Sequence, residues 1–468
     1  MITKRNNIAS ASLVVLVLGF AIVGVSTIAL VPEKYKAYLI GGVFMFGLVW
    51  ILLRYTLASL YLLVITSAMA GIFRGFDELT TLSIGGTSVS LSGMRWIFLY
   101  LIMCFILVGN VGSFRIKKYH LTFWIFIIWS IFVWVLRGMH AIGVKDILFY
   151  SMPLIVFSYT YYVVFAKYGV SAVVKLERVF LLSFVIPIVL LIVTMSLGLV
   201  TYSYNGPKGV INPRPLASYL VLVCALGFSV WRYASTSSMK RLGRVVAVFS
   251  FLTVLFTLSR MASATALMLL VLYKSNPDKL WKMAGYIAVA CLISIVVIFN
   301  IPGFQERFFV DKPRDVSEVF ENLNTSGRAT LLWPSAWDSA LKRPIIGWGP
   351  GEARLVVADA IYYREVDEYH PHSEPLQIFH DLGIIGFILF LMTWIVLLIR
   401  YRRMWRFGNL IRDFEVAKWA MASTLAILVV LINSLVDNTL HYPIVMGPLA
   451  LLFASAEYVY SIRQSKNA

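Results

Sequence analysis

The chain has 468 residues, of which 60% are hydrophobic and only 14% charged, with a formal net charge of +18. An ordinary soluble domain is about 45–50% apolar and about 25% charged, so this composition excludes a soluble fold that hides its apolar surface in a core. Apolar runs of about eighteen or more residues recur, each long enough to cross a hydrocarbon layer about 30 Å thick. They do not alternate apolar with polar residues, which excludes a closed outer-membrane barrel and leaves helices as the spanning element. The expectation is an all-α polytopic integral membrane protein of about 12–14 transmembrane helices with one large hydrophilic loop.

In chain order, the first apolar run is Ser12–Val31, which has no small-x-small cleavage site and reads as a retained span. Thr56–Phe76, interrupted by Arg74, leads into the Thr-, Ser- and Gly-rich stretch Asp77–Gly93, expected as a re-entrant or surface loop. Further spans are read at Val179–Val200, Leu382–Ile399 and Trp419–Val436, and the last two spans meet at Asp437–Pro443. Basic residues gather in short connectors: Arg115, Lys117 and Lys118; Arg232, Lys240, Arg241 and Arg244; Arg400, Arg402, Arg403, Arg406 and Arg412. With Lys4 and Arg5 in the cytoplasm, every such cluster falls on the same side. The excess positive charge is therefore a topology signal, and no nucleic-acid partner is expected. Cys104, Cys224 and Cys291 all lie in apolar runs, so no disulfide framework and no cysteine metal site is expected.

The opposite side carries the long segment from Pro302 to about Pro375. From Ile301 to Asp381 there are thirteen acidic against eight basic residues, so this stretch is mildly acidic. Trp333–Leu341 reads as an amphipathic helix, Lys342–Pro344 as a turn and Gly347-Trp-Gly-Pro-Gly351 as a tight loop. A connector this long with its own punctuation is expected to be functional. The chain accordingly divides into N-terminal spans (1–200), central spans with arginine motifs (201–300), the large loop (301–377) and C-terminal spans (378–468).

Four constellations fall on that side: Lys208-Gly-Val-Ile-Asn-Pro-Arg214, Ser259-Arg260 in a very short turn, Gly327-Arg328 ahead of Trp333, and Tyr369-His-Pro-His-Ser-Glu-Pro-Leu-Gln377. Guanidinium groups grip phosphate oxygens bidentately and stay charged at any accessible pH. A histidine that titrates near neutrality can take a proton from an attacking hydroxyl. Together they suit a lipid diphosphate presented at a membrane surface. Each also has a plainer reading. Arg260 can snorkel to headgroups, Arg328 can pair with Glu318 or Glu321, and Lys208 can be a solvated loop charge. His370 and His372 invite a zinc site completed by Glu374 or Asp367, but the spacing matches no metal motif. Asp437 and His441 form a further polar pair in the last turn.

His372-Ser-Glu-Pro-Leu-Gln377 followed by Leu382-Gly-Ile-Ile-Gly-Phe387, with Gly327-Arg328 and Trp333 upstream and Pro344-x-x-Gly-x-Gly349 between, resembles the C-terminal region shared by O-antigen ligases and O-antigen polymerases. Ser259-Arg260 is similar to the Ser-Arg turn that opens that region, and the resemblance covers roughly Lys208 to Pro448. It implies a metal-independent, cofactor-free membrane glycosyltransferase of the multi-spanning (GT-C-like) class. Such an enzyme works on the periplasmic face of the bacterial inner membrane, surrounded by membrane lipids. The donor implied is undecaprenyl-diphosphate-linked O-antigen. The acceptor is a lipid A–core sugar in the ligase branch, another lipid-linked repeat in the polymerase branch, or a protein serine in a third. By resemblance Arg214 and Arg328 hold the diphosphate, with Arg260 in support, and His372 acts on the acceptor hydroxyl; His370, Lys208, Glu374, Trp333 and Asp437 are supporting candidates. Two departures stand out: His372-Ser373 replaces the His-Asn of many members, and Asn212-Pro-Arg214 looks more like the ligase branch.

Overall fold

In the computed structural model, the described residues are 54–69, 82–84, 87–89, 91–110, 116–203, 206–209, 213–275, scattered positions within 282–300, 328–360 and 369–467. The expected span Ser12–Val31, Arg74, Cys291, Glu318, Glu321, Gly327 and Asp367 lie outside them. The chain divides into two units, Met1–Ser59 and Leu60–Ala468, and the second carries the helical bundle and the candidate site.

The architecture is helical. Following the short apolar helix Thr56–Ala68 come α1 (Leu91–Val108), α2 (Leu121–Leu136) and α3 (Ala141–Ser158, prolonged through a π turn at Tyr159–Phe165 to Tyr168). Then follow α4 (Val170–Leu182), α5 (Val185–Ser196), α6 (Pro213–Tyr233), α7 (Ser237–Phe256) and α8 (Arg260–Leu272). The long loop contributes α9 (Trp333–Ala340) and α10 (Glu352–Ala360), and the chain closes with α11 (Glu374–Leu410), α12 (Phe414–Ser434) and α13 (Pro443–Asn467). Among the described residues, seven helical segments are long and apolar enough to cross a membrane, so the chain is a multi-pass membrane protein. Strands among the described residues are confined to two small antiparallel hairpins, β1 (Leu82–Ile84) with β2 (Thr87–Val89), and β3 (Val200–Ser203) with β4 (Gly206–Gly209). The first hairpin occupies the stretch expected as a loop. Lys208 stands in the second, opposite Thr201.

α6 is the buried axis of the bundle, with side chains from Leu216 to Val230 enclosed. α7 reaches it backbone to backbone: a Cβ on Gly227 would meet the Ala247 nitrogen at 2.9 Å, and one on Gly243 the Trp231 nitrogen at 2.6 Å. Small residues at such a crossing replace the hydrophobic drive that is missing between helices in lipid. By contrast α11 turns Ile384, Ile388, Met392, Ile395 and Ile399 outward, the stripe expected of a helix that faces acyl chains.

The run Val179–Val200, expected as one span, falls largely within a single candidate span, Val170–Ser196, which is kinked at Ser183–Phe184. Pro187 cannot donate an N–H to the Ser183 carbonyl, and the Ser183 hydroxyl instead bonds the Phe180 carbonyl at 2.6 Å and the Tyr219 hydroxyl at 2.5 Å. α11 is broken as well, at Gly383 (φ 68°, ψ −171°). That break lets the loop dock. Ile384 N–H donates to the Pro344 carbonyl (2.7 Å), Gly349 N–H to that of Asp381 (2.9 Å) and Trp348 N–H to that of His380 (3.1 Å). A Cβ at Gly383 would run into the Ile345 carbonyl, and one at Gly347 (φ 81°) into the Asp381 carbonyl. The glycines of both motifs are there because two backbones touch.

Candidate functional site

Three helix starts and one helix end meet around an open cavity of about 50 Å³. Its walls are Arg214 and Ser218 of α6, Ser259 to Ala262 at the start of α8, Arg328 from the loop, and Asn433, Val436 and Asp437 at and past the end of α12. Arg214 follows Pro213, the first residue of α6, where the missing proline N–H costs nothing. Arg260 is the first residue of α8, with Ser259 extended before it and Leu258 in the left-handed region (φ 50°) to make the turn. Arg328 opens the π turn Arg328–Leu332 that runs into α9. Two helix N-termini and three guanidinium groups therefore face the same volume, a strongly anion-favouring arrangement. Burial and the neighbouring Arg214 charge push the Arg328 guanidinium down from its ordinary value, and its buried Nε has no hydrogen-bond partner.

Asp437 is the counterpoise. Its Oδ1 accepts from Tyr442 Oη at 2.9 Å, from its neighbour Asn438 N at 2.9 Å, and faces His372 Nδ1 at 3.2 Å. Burial alone raises a carboxyl group, but the His372 hydrogen bond and charge, the Arg214 charge and the Asn438 amide together hold Asp437 below its ordinary range. A carboxylate only accepts, so Nδ1 of His372 carries a proton and Nε2 points away from Asp437. His372 has φ 55°, a left-handed conformation unusual for a histidine, two residues ahead of α11. It is held there by Trp333, whose Nε1 donates to the Pro371 carbonyl at 3.0 Å, and by Tyr369, whose ring meets the imidazole edge-on at 5.4 Å.

His370 points elsewhere. Its Nδ1 faces Gln377 Oε1 at 3.3 Å and its ring lies 4.9 Å from that of His441, so the two histidines of His-Pro-His do not converge on one point. Burial, His441 and Arg354 push His370 well below the ordinary histidine value, and it is neutral. Beneath it lies a buried polar network. Asp146 of α3 takes Arg354 Nη2 at 2.6 Å and Gln377 Nε2 at 3.0 Å, and stands 3.2 Å from His441 Nε2. Glu374 accepts from Leu440 N–H at 3.0 Å and lies 3.3 Å from His441 Nδ1, a close but poorly aligned ion pair. Burial would lower His441, but Asp146 and Glu374 outweigh it and bring it up to about 9. Two carboxylates and two cations thus balance in the interior. Asn438 Nδ2 ties the network to the next turn through Gln377 Oε1 at 2.7 Å.

The structure therefore brings Arg214, Arg260, Arg328 and Asp437 around one cavity, joins His372 to it through Asp437, and places His370 and Glu374 in the supporting network. Lys208 is positioned by its hairpin backbone. Sequence reasoning missed Asp146, Arg354, Gln377, Asn438 and Tyr442. Asp146 had left a signal, since an acidic residue inside an apolar span marks a polar partner. Arg354 had left none.

The O-antigen ligase family profile matches residues 245–391, the stretch that contains Arg260, Arg328, Trp333 and His372. That stretch is similar to the O-antigen ligase family over about a third of the chain. Arg214 and Asp437 are supplied to the ligase-family region from outside the matched residues, by α6 and by the turn after α12. The chain is also similar to a candidate polysaccharide ligase of Rickettsia conorii, at 26% identity over 232 residues, covering 38% of this chain and 55% of that protein. It thus spans little more than half the length of that relative.

Proposed function

We propose that this protein transfers a glycan from an undecaprenyl-diphosphate carrier to an acceptor hydroxyl, on the periplasmic face of a bacterial inner membrane. The observation that carries the reading is the cavity where Arg214, Arg260 and Arg328 meet, with Asp437 linking its wall to His372. In this reading Nε2 of His372 takes the proton of the acceptor hydroxyl as its oxygen attacks the anomeric carbon. The bond from that carbon to the diphosphate breaks, and the diphosphate leaves as an anion among the three guanidinium groups. Asp437 fixes the tautomer and stabilises the imidazolium that forms. A direct displacement of this kind inverts the anomeric centre. Network carboxylates other than Asp437 are neutralised by Arg354 and His441, so they support the His372 segment rather than take part.

The acceptor we favour is a lipid A–core sugar, on the ligase-like Asn212-Pro-Arg214; a polymerase uses the same machinery with a lipid-linked repeat as acceptor. Purified protein supplied with the carrier-linked glycan and lipid A–core should yield the conjugate without ATP and in the presence of a chelator. Product that vanishes with chelation and returns with a divalent metal overturns the mechanism. In cells, loss of the gene should leave bare core while full-length carrier-linked polymer accumulates. A core bearing one repeat instead assigns the polymerase reaction. A carrier-glycan transporter predicts neither conjugate, and its charged residues belong at mid-span rather than at one end of the bundle.

A further inference from the structure

Helix α9 has two apolar faces, and the described residues cover only one. Leu332, Ala336 and Ala340, spaced at i, i+4 and i+8, are buried, and the first two pack with Val357, Trp333, Tyr369 and Leu376. A second row, Pro334, Trp337 and Leu341 at i, i+3 and i+7, points outward and continues into Ile345. Trp337 is 49% exposed, Leu341 52% and Ile345 61%. The polar part of the helix surface carries Ser335 and Asp338 and continues into Lys342. A short helix that ordinarily sits in water has no reason to keep a tryptophan and two large aliphatic side chains on a face that the described residues leave bare.

What covers this face is indicated by its continuity with α11. Trp337 stacks obliquely on Phe379 at 5.4 Å, and Phe379 meets Phe387 edge-on at 6.4 Å. The aromatic ladder leads from the loop helix into the first turns of the spanning helix. There the outward stripe Ile384, Ile388, Met392, Ile395, Ile399 begins, whose only solvent is lipid. The Ile345 backbone is itself clamped to Gly383, one residue before that stripe. Tryptophan at the top of an acyl-facing stripe, with Lys342 and Arg343 exposed beside it, is the chemistry of the bilayer interface.

We infer that α9 is an interfacial anchor: Pro334, Trp337, Leu341 and Ile345 enter the headgroup–acyl boundary of the bilayer, and the polar part of the helix faces water. Arg328 opens the same helical run, so the anchor sets the depth of the arginine cavity at the level of lipid headgroups. This holds whether or not the protein transfers glycans. The test is a nitroxide scan in lipid nanodiscs, on the full chain with Cys104, Cys224 and Cys291 replaced by alanine. Single labels at Trp337→Cys, Leu341→Cys and Ile345→Cys should relax more with oxygen than with a nickel chelate, and labels at Ser335→Cys, Asp338→Cys and Lys342→Cys the reverse. Nickel dominance at all six places the helix in water and overturns the inference. Protection of the first three from both reagents means that protein covers the face, and overturns it equally. Where a cysteine variant does not reconstitute, brominated-lipid quenching compared between wild type and Trp337→Phe decides. The substitution should remove a lipid-quenchable share of emission, and unchanged quenching sinks the proposal.

Discussion

His372 owes its orientation to a strained backbone, a ring contact and a tryptophan bond, while its neighbour His370 is turned into the interior. Under the proposed reaction the two substitutions separate cleanly. His372→Ala removes a general base and should cut the transfer rate by about a hundredfold to ten-thousandfold with folding intact. His370→Ala should keep most of it, as measured with purified variants in detergent; the reverse ranking overturns the assignment. Arg328→Ala removes a preorganised charge at the leaving group, an effect of about 3 kcal/mol at a comparable electrostatic site, and should lower kcat by about a hundredfold. The arginines and His372 were legible in the sequence because charged residues beside apolar runs are conspicuous. That His372 rather than His370 meets Asp437 was not, since the two are two residues apart and the contacts that orient each come from distant parts of the chain.

Among the elements, the docking of the Gly347–Gly351 loop on the broken α11 carries the loop and the spanning helix as one body. Gly383→Ala places a side chain into the Ile345 carbonyl at a positive φ, and should destabilise the folded protein by about 3 kcal/mol or more. A fall in melting temperature in detergent checks it, and a variant as stable as wild type refutes the clamp. The His441 network gives a pH dependence of definite sign. Because folding raises this histidine from its ordinary 6.5 to about 9, its contribution is complete below about pH 6.5 and is lost as pH rises through 9. Thermal stability should therefore fall over that window, and His441→Gln should flatten the fall. The sequence marked the glycines as turns, but a turn and a backbone-to-backbone contact have the same residue signature. The partner, Gly383 against Ile345, appears only when the chain has folded back.

For the whole molecule, the basic connectors and the arginine cavity lie at opposite ends of the spanning helices: Arg403 and Arg406 near the far end of α11, His372 just before its start. Under the proposed orientation, the positive-inside rule predicts that the cavity lies outside the cytoplasm. In intact inner-membrane vesicles of right-side-out orientation, a membrane-impermeant maleimide should label a cysteine at Asp338 and leave one at Arg403 unlabelled. The opposite pattern inverts the topology and removes the periplasmic reaction.

Membrane class and helical architecture were determined by the sequence alone. They depend on run length, a quantity that the bilayer reads one segment at a time. Tertiary structure decided the polar interior. Asp146, Arg354, Glu374, Gln377 and His441 come from four segments as much as 295 positions apart in chain numbering, and their charges balance only when they are buried together. No local pattern encodes that balance, because burying an ionisable group is tolerable only once its partner has arrived from elsewhere in the chain.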